Sequence, residues 1–192
     1  MAVTIGGKAE NDYTNPLGML SDCHRRIERF LRTLITVTDQ ARGRELSREE
    51  RDALETALRY FREAAPRHTE DEEESLFPRM RACPQAAATL ERLDALHTDH
   101  EVADSLHEEA DLLGREWLTE GSLSTESVRR LIEALKELRA IYERHIAEED
   151  TRIFPLAAEI LPRDAIEALA REMASRRSVA LDGRLRAAGW NP

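Results

Sequence analysis

Apolar residues recur along this chain in steps of three and four, and four long stretches carry that rhythm. Leu20, Ile27, Leu31 and Leu34 mark the first. It opens at Asn15-Pro16, where proline is tolerated in the first helical turn, and breaks at Gly43. Ser47, with Glu50 three residues on, is a capping-box signal for the second stretch, which passes through Leu54, Leu58, Phe61 and Ala65 to Leu76. Pro66 removes one backbone donor and predicts a kink or break just before His68. The third stretch covers roughly 85–117 through Leu93, Leu96, Ala103 and Leu106. The fourth starts at Ser124 or Thr125 and runs through Val128, Leu131, Leu135 and Leu138 to Ile153, with Pro162 as its stop. Ile166, Leu169 and Met173 predict a short fifth helix over Asp164 to Arg177. Four long amphipathic helices with short loops predict an all-α, up-down antiparallel four-helix bundle over 15–160. Residues 1–14 read as a flexible arm, and 161–192 as the C-terminal helix and an irregular tail.

Histidines interrupt these apolar stripes: His24 on the first, His68 on the second, His100 on the third and His145 on the fourth. Each of the six histidines has an acid four residues on, so that spacing alone discriminates nothing in a chain with 38 acids. The course of the stripe does. After His24 it continues through Ile27 and Leu31, and after His100 through Ala103 and Leu106, which leaves Glu28 and Asp104 at the edge. After His68 and His145 the positions three on are Asp71 and Glu148, so the stripe passes through Glu72 to Leu76 and through Glu149 to Ile153. Four inward nitrogens and two inward carboxylates result. Buried carboxylates demand compensation, by a cation or by mutual ion pairs.

The two frames are copies. Residues 68–78 and 145–155 share histidine, glutamate four on, a second acid, then an apolar residue, phenylalanine and proline. His68 and His145 are 77 apart; Leu20-x-x-x-His24 and Leu96-x-x-x-His100 are 76 apart. The first helical pair is thus repeated as the second, which brings four histidines to one level. His97, one turn before His100, is a candidate fifth histidine, although its repeat mate is Ser21. His107 lies two turns beyond His100 and reads as a surface residue or one that supports the ligands from behind; Tyr142, one turn before His145, reads as ordinary core packing, with lining the pocket as its alternative. Asp150 and Glu73 should turn outward, where either can accept a hydrogen bond from a ligand.

A net charge of −10 argues against nucleic acid and against an anionic membrane surface as partners. Cys23 and Cys83 lie far apart, form no CxxC, and read as reduced thiols. With no signal-like apolar run at the N-terminus and no membrane-length stretch, the expected location is the cytoplasm. Mixed imidazole and carboxylate donors in two half-sites suit a dinuclear iron or manganese centre better than structural zinc.

With its paired H-x-x-x-E-[ED]-x-x-[LI]-F-P frames, and with Asp22-Cys23-His24 and Asp99-His100, the chain resembles the hemerythrin-like, or HHE cation-binding, family over about residues 16–160. That resemblance implies a non-haem di-iron centre. In it Glu72 and Glu149 would bridge two Fe ions, His24 and His68 would bind one, and His100 and His145 the other. Manganese or zinc are possible substitutes. Oxygen-carrying hemerythrins use five histidines, with a pair four apart on the third helix; here Leu96 stands four before His100, and His97 three before. Their last ligand is an acid five residues after the final histidine, which is Asp150 here; symmetry with Glu72 favours Glu149. The expected function is binding of, or response to, a small molecule such as O2, NO or peroxide. No separate acid, base or nucleophile apparatus is visible, so no catalytic residue is assigned. The alternatives are a di-iron enzyme consuming peroxide or NO, iron storage or donation for repair of iron centres, and a structural bundle with an incidental ion. A protein partner is not identified.

Overall fold

In a computed structural model, which describes residues 11–181, every regular element is helical. Helix α1 spans Pro16–Ala41; the Asn15 side chain accepts a hydrogen bond from the Gly18 N–H at its start. It ends where Arg42 and Gly43 turn left-handed, with φ of 46° and 82°. The predicted capping box is present on α2, Arg48–Glu63: Ser47 accepts from the Glu50 N–H, and the Glu50 carboxylate accepts from the Ser47 N–H. The helix breaks at Ala64 and restarts at Pro66 as α3, Pro66–Asp71. A wide turn over Glu72–Leu76 leads into α4, Phe77–Arg81. Helix α5 spans Leu90–Glu120, and α6 spans Thr125–Glu148 with Ser124 as its cap. A second wide turn, Glu149–Ile153, joins α6 to α7, Phe154–Ile160. The last helix, α8, covers Arg163–Arg176.

Two expectations change. The third long helix starts at Leu90 rather than near residue 85, because Pro84–Thr89 winds as a tighter 3-10 turn that buries Ala86. The arm is not loose throughout: the Asn11 backbone N–H donates to Asp22 Oδ2 (2.9 Å), and the Asn15 N–H donates to the Asp12 carbonyl (2.8 Å). Residues 1–10, the rest of the proposed arm, and 182–192 of the proposed tail lie outside the described residues.

The two wide turns have a common origin. Proline lacks the N–H needed to close a regular turn, and its ring clashes with the carbonyl four residues back. In each frame proline sits at the second position of the resumed helix, Pro78 in α4 and Pro155 in α7. The turn before it is widened by one residue, so that the Phe77 N–H bonds to the Glu72 carbonyl and the Phe154 N–H to that of Glu149. Helix direction is kept and the proline is accommodated.

Helix α1 packs against α2 and α6, and α5 packs against the same two. The buried side chains form two separate apolar clusters. One holds Ile27, Leu34, Phe61, Ala103, Trp117 and Leu138. The other holds Leu20, Leu76, Phe77, Leu96, Phe154 and, from α8, Leu169 and Met173. Helices α1 and α5 pass from one cluster to the other, and α2 and α6 are carried into the second by the segments that follow them, through Leu76 and Ile153. The histidines lie at the crossing: His24 between Leu20 and Ile27, and His100 between Leu96 and Ala103. No described helix is long and apolar enough to cross a membrane.

Candidate metal centre

His24, His68, Glu72, His100, His145 and Glu149 meet in the layer between the two apolar clusters. All six are buried, both glutamates completely. Donor atoms of His24, His68, Glu72 and Glu149 lie within 4.8 Å of one another, and so do those of Glu72, His100, His145 and Glu149. The two groups share both glutamates. Glu149 Oε2 is 3.0 Å from His24 Nε2 and 3.2 Å from His145 Nε2. Glu72 Oε1 is 3.3 Å from His68 Nε2, and its Oε2 is 3.4 Å from His100 Nε2.

These close approaches are not hydrogen bonds. All four carboxylate oxygens, and His24 Nε2 with them, are buried without a hydrogen-bond partner. Groups of this kind normally cost roughly 1–3 kcal/mol each when left unpaired, and more when charged. Five converging in one layer point to a shared positive charge at its centre. The protonation balance shows the same tension. Burial pushes Glu72 well above the usual carboxylate range, and the neighbouring Glu149 pushes it further. Burial raises Glu149 too, but His145 and His24 outweigh it and hold the group low. Burial opposes charge on His24, yet its bond to Asp150 and the nearby Glu149 carboxylate lift it to about 10. His68, dry and beside His24, is driven well below its ordinary value. With protons as the only cations, two carboxylates and four imidazoles can be neutralised only unevenly.

The second acid of each frame serves a histidine of the other repeat. Asp150 Oδ1 lies 3.0 Å from His24 Nδ1 and also accepts from the Ser21 hydroxyl at 2.7 Å. Glu73 Oε1 lies 2.7 Å from His100 Nδ1. With Nδ1–H donating to a carboxylate, each ring turns its Nε2 lone pair to the centre. The phenylalanine of each frame completes the arrangement. Phe154 stacks on His24 (centroids 5.4 Å apart, planes at 13°), and Phe77 on His100 (6.3 Å, 16°). Each eleven-residue frame thus supplies a histidine and a glutamate directly, and an acid and an aromatic ring that fix the histidine across the bundle.

The neighbouring candidates take up different positions. Glu149 enters the cluster, while Asp150 lies behind His24. His97 stays outside: its side chain is 53% exposed and faces Glu73 at 3.0 Å, so it is not a fifth member of the layer. Tyr142 and His107 lie outside the two donor groups and meet beside the cluster, where the Tyr142 hydroxyl and His107 Nε2 are hydrogen-bonded at 2.8 Å. Asp71 is missed by periodicity altogether. It is fully buried because Arg176 Nη1 (3.0 Å) and Arg177 Nη2 (2.6 Å) of α8 and the following turn close over it. The only sequence signal for it is the paired arginines more than a hundred residues away. Cys23 and Cys83 are both free thiols.

Helical bundles that converge histidine and glutamate on one buried layer form a class of cation-binding proteins. Residues 15–157 match the model of the hemerythrin HHE cation-binding domain, and the chain belongs to that family. An uncharacterized protein of Haemophilus influenzae is 28% identical over 173 residues, which is 87% of this chain and 92% of that relative.

Proposed function

We propose that the protein holds two iron ions in this layer and binds a small molecule there, such as O2, NO or peroxide. The observation that carries the reading is the sharing of Glu72 and Glu149 between two four-residue donor groups, with all their oxygens left without hydrogen bonds. In this assignment His24 and His68 would hold one ion and His100 and His145 the other, with Glu72 and Glu149 available to both. Four imidazoles and two carboxylates suit six-coordinate iron, with manganese next, whereas structural zinc prefers four ligands and often thiolates. Each ion would then have donors from both repeats and room for an added ligand. A bound iron pair supplies electron exchange and open positions for that ligand. The chain supplies the rest: Asp150 and Glu73 hold the tautomers of His24 and His100, and the two apolar clusters keep bulk water away.

We further infer an up-down antiparallel arrangement of the four long helices. The short connections, and the alternating passage of successive helices between the two apolar clusters, support it. A cavity of about 40 Å³ beside the histidines has room for a few waters or one diatomic, which favours a small ligand over an organic substrate.

The test is an anaerobic iron titration of the metal-free protein, followed spectroscopically on adding O2, peroxide and NO. Two irons per chain, and spectral changes with one or more of the three, are expected. A protein that takes up neither iron nor manganese, and whose melting is unchanged in His68→Ala, refutes the reading. Steady-state loss of peroxide or NO would mark an enzyme, and transfer of iron to an apo-acceptor would mark iron handling.

A further inference from the structure

The internal repeat doubles the cluster, and it doubles what supports the cluster. Asp150 on His24 is mirrored by Glu73 on His100, and Phe154 by Phe77. One polar pair next to the cluster is not doubled. Shifted back by the repeat spacings of 76 and 77, His107 corresponds to Leu31 and Tyr142 to Ala65, both apolar and buried. The polar pair therefore belongs to one side only.

That side is where the cavity lies. Its walls include Ala65, Pro66, His107 and Tyr142 together with four histidines of the layer, His24, His68, His100 and His145. The small side chain of Ala65 lines it at the point where the helix breaks at Ala64 and restarts at Pro66. Four of its lining residues, Phe61, Pro66, Asp104 and His107, also line an outer groove of about 430 Å³ between α2 and α5. Those side chains thus face both the groove and the cavity. The His107 ring stacks on Phe61 at 4.3 Å and bonds to Tyr142, so that it is held from both sides. Burial favours its neutral form.

A hydroxyl and an imidazole withdrawn from water at these positions cost desolvation, and leucine and alanine at the same positions of the other repeat avoid it. What the pair adds is hydrogen-bonding capacity facing the cavity. Building on the metal reading above, we propose that Tyr142 and His107 are positioning residues for the small ligand of the centre. Tyr142 holds the ligand by a hydrogen bond in the cavity, His107 orients the Tyr142 hydroxyl, and the ligand passes from the α2–α5 groove between Phe61, Pro66 and His107. The occupant is a small molecule with a hydrogen-bond-accepting atom.

Azide is a suitable probe, added to the iron-loaded, oxidised full-length chain and followed by stopped-flow absorbance, with metal content measured alongside. Tyr142→Phe keeps the ring and its packing and removes the hydroxyl, with its bonds to His107 and to the ligand. We expect full iron content, an unchanged association rate and azide release faster by about tenfold. Ala65→Leu narrows the cavity, and we expect full iron content with azide association slowed by tenfold or more. His107→Leu restores the residue of the other repeat and should release azide faster, as Tyr142→Phe does. Fully loaded Tyr142→Phe and Ala65→Leu proteins with wild-type azide kinetics overturn this proposal and leave the metal centre standing. A wild-type chain that takes up no metal overturns both.

Discussion

Asp150 shows how much a side chain outside the donor groups can carry. It sits one residue from Glu149, accepts from Ser21, and faces the outer nitrogen of His24. Replacing it with asparagine keeps the volume and loses the charge that fixes the ring. Iron affinity should fall by roughly 10–100-fold, measured by competition with a chelator, while the fold melts nearly as before. His107 gives a second expectation at this scale, this time for stability. Burial lowers it to about 4, against an ordinary value near 6.5. The unfolded chain therefore binds a proton between those values that the folded chain refuses. Stability from this group is complete above about pH 6.5 and is lost as pH falls toward 4. The ring is only half-buried, so the loss is on the order of 1–2 kcal/mol. Urea unfolding of the metal-free protein at pH 7 and pH 4.5 checks this: His107→Leu should lose less stability than wild type. Equal losses would show that the folded ring takes up its proton over the same range as the unfolded one.

At the scale of elements, the legible parts were those governed by local rules. The caps at Asn15, Ser47 and Ser124, the break at Pro66 and the stop before Pro162 follow from side-chain donors and from proline stereochemistry. The six converging residues were legible because the stripe at His68 and His145 could continue only through a glutamate. The wide turns were not, although the Phe-Pro pairs contain their cause, because helical periodicity treats a one-residue insertion as noise. The Tyr142–His107 pair and the burial of Asp71 were illegible for a different reason. Both depend on which residues of distant helices face each other, and no period along one helix encodes that. The α1–α2 connection offers a test of local geometry. Gly43 has a φ of 82°, and a Cβ there would meet Val128 Cγ2 at 2.5 Å and the Leu123 carbonyl oxygen at 2.9 Å. Gly43→Ala should cost about 1–2 kcal/mol in denaturant unfolding. An unchanged midpoint would mean that the turn relaxes into another conformation.

For the whole molecule, α8 matters more than its length suggests. It contributes Leu169 and Met173 to one apolar cluster, and it is tied to the helix bearing His68 and Glu72. Arg176 and Arg177 hold Asp71, Arg176 also reaches Ser75 and Glu74, and Arg79 grips Glu172 through two bonds of 2.6 and 3.0 Å. Removing both arginines would strand a buried carboxylate beside Glu72. The double variant Arg176→Ala, Arg177→Ala should lose about 2–4 kcal/mol of stability, and it should bind iron more weakly because Glu72 is no longer held in place. If it loses stability without losing affinity, α8 is a cover and not a brace.

The placement of the histidine–glutamate layer between two apolar clusters also has a consequence for cooperativity. A layer of buried charged and polar groups between the two apolar clusters is where coupling between the two ends is weakest. Without metal, amides around Trp117 and Leu34 should exchange with solvent hydrogen on a different schedule from those around Phe77 and Met173, as two units that open separately. With metal bound across this layer, the two schedules should merge into one. The cation would then act as the rivet that makes two half-proteins unfold as a single body.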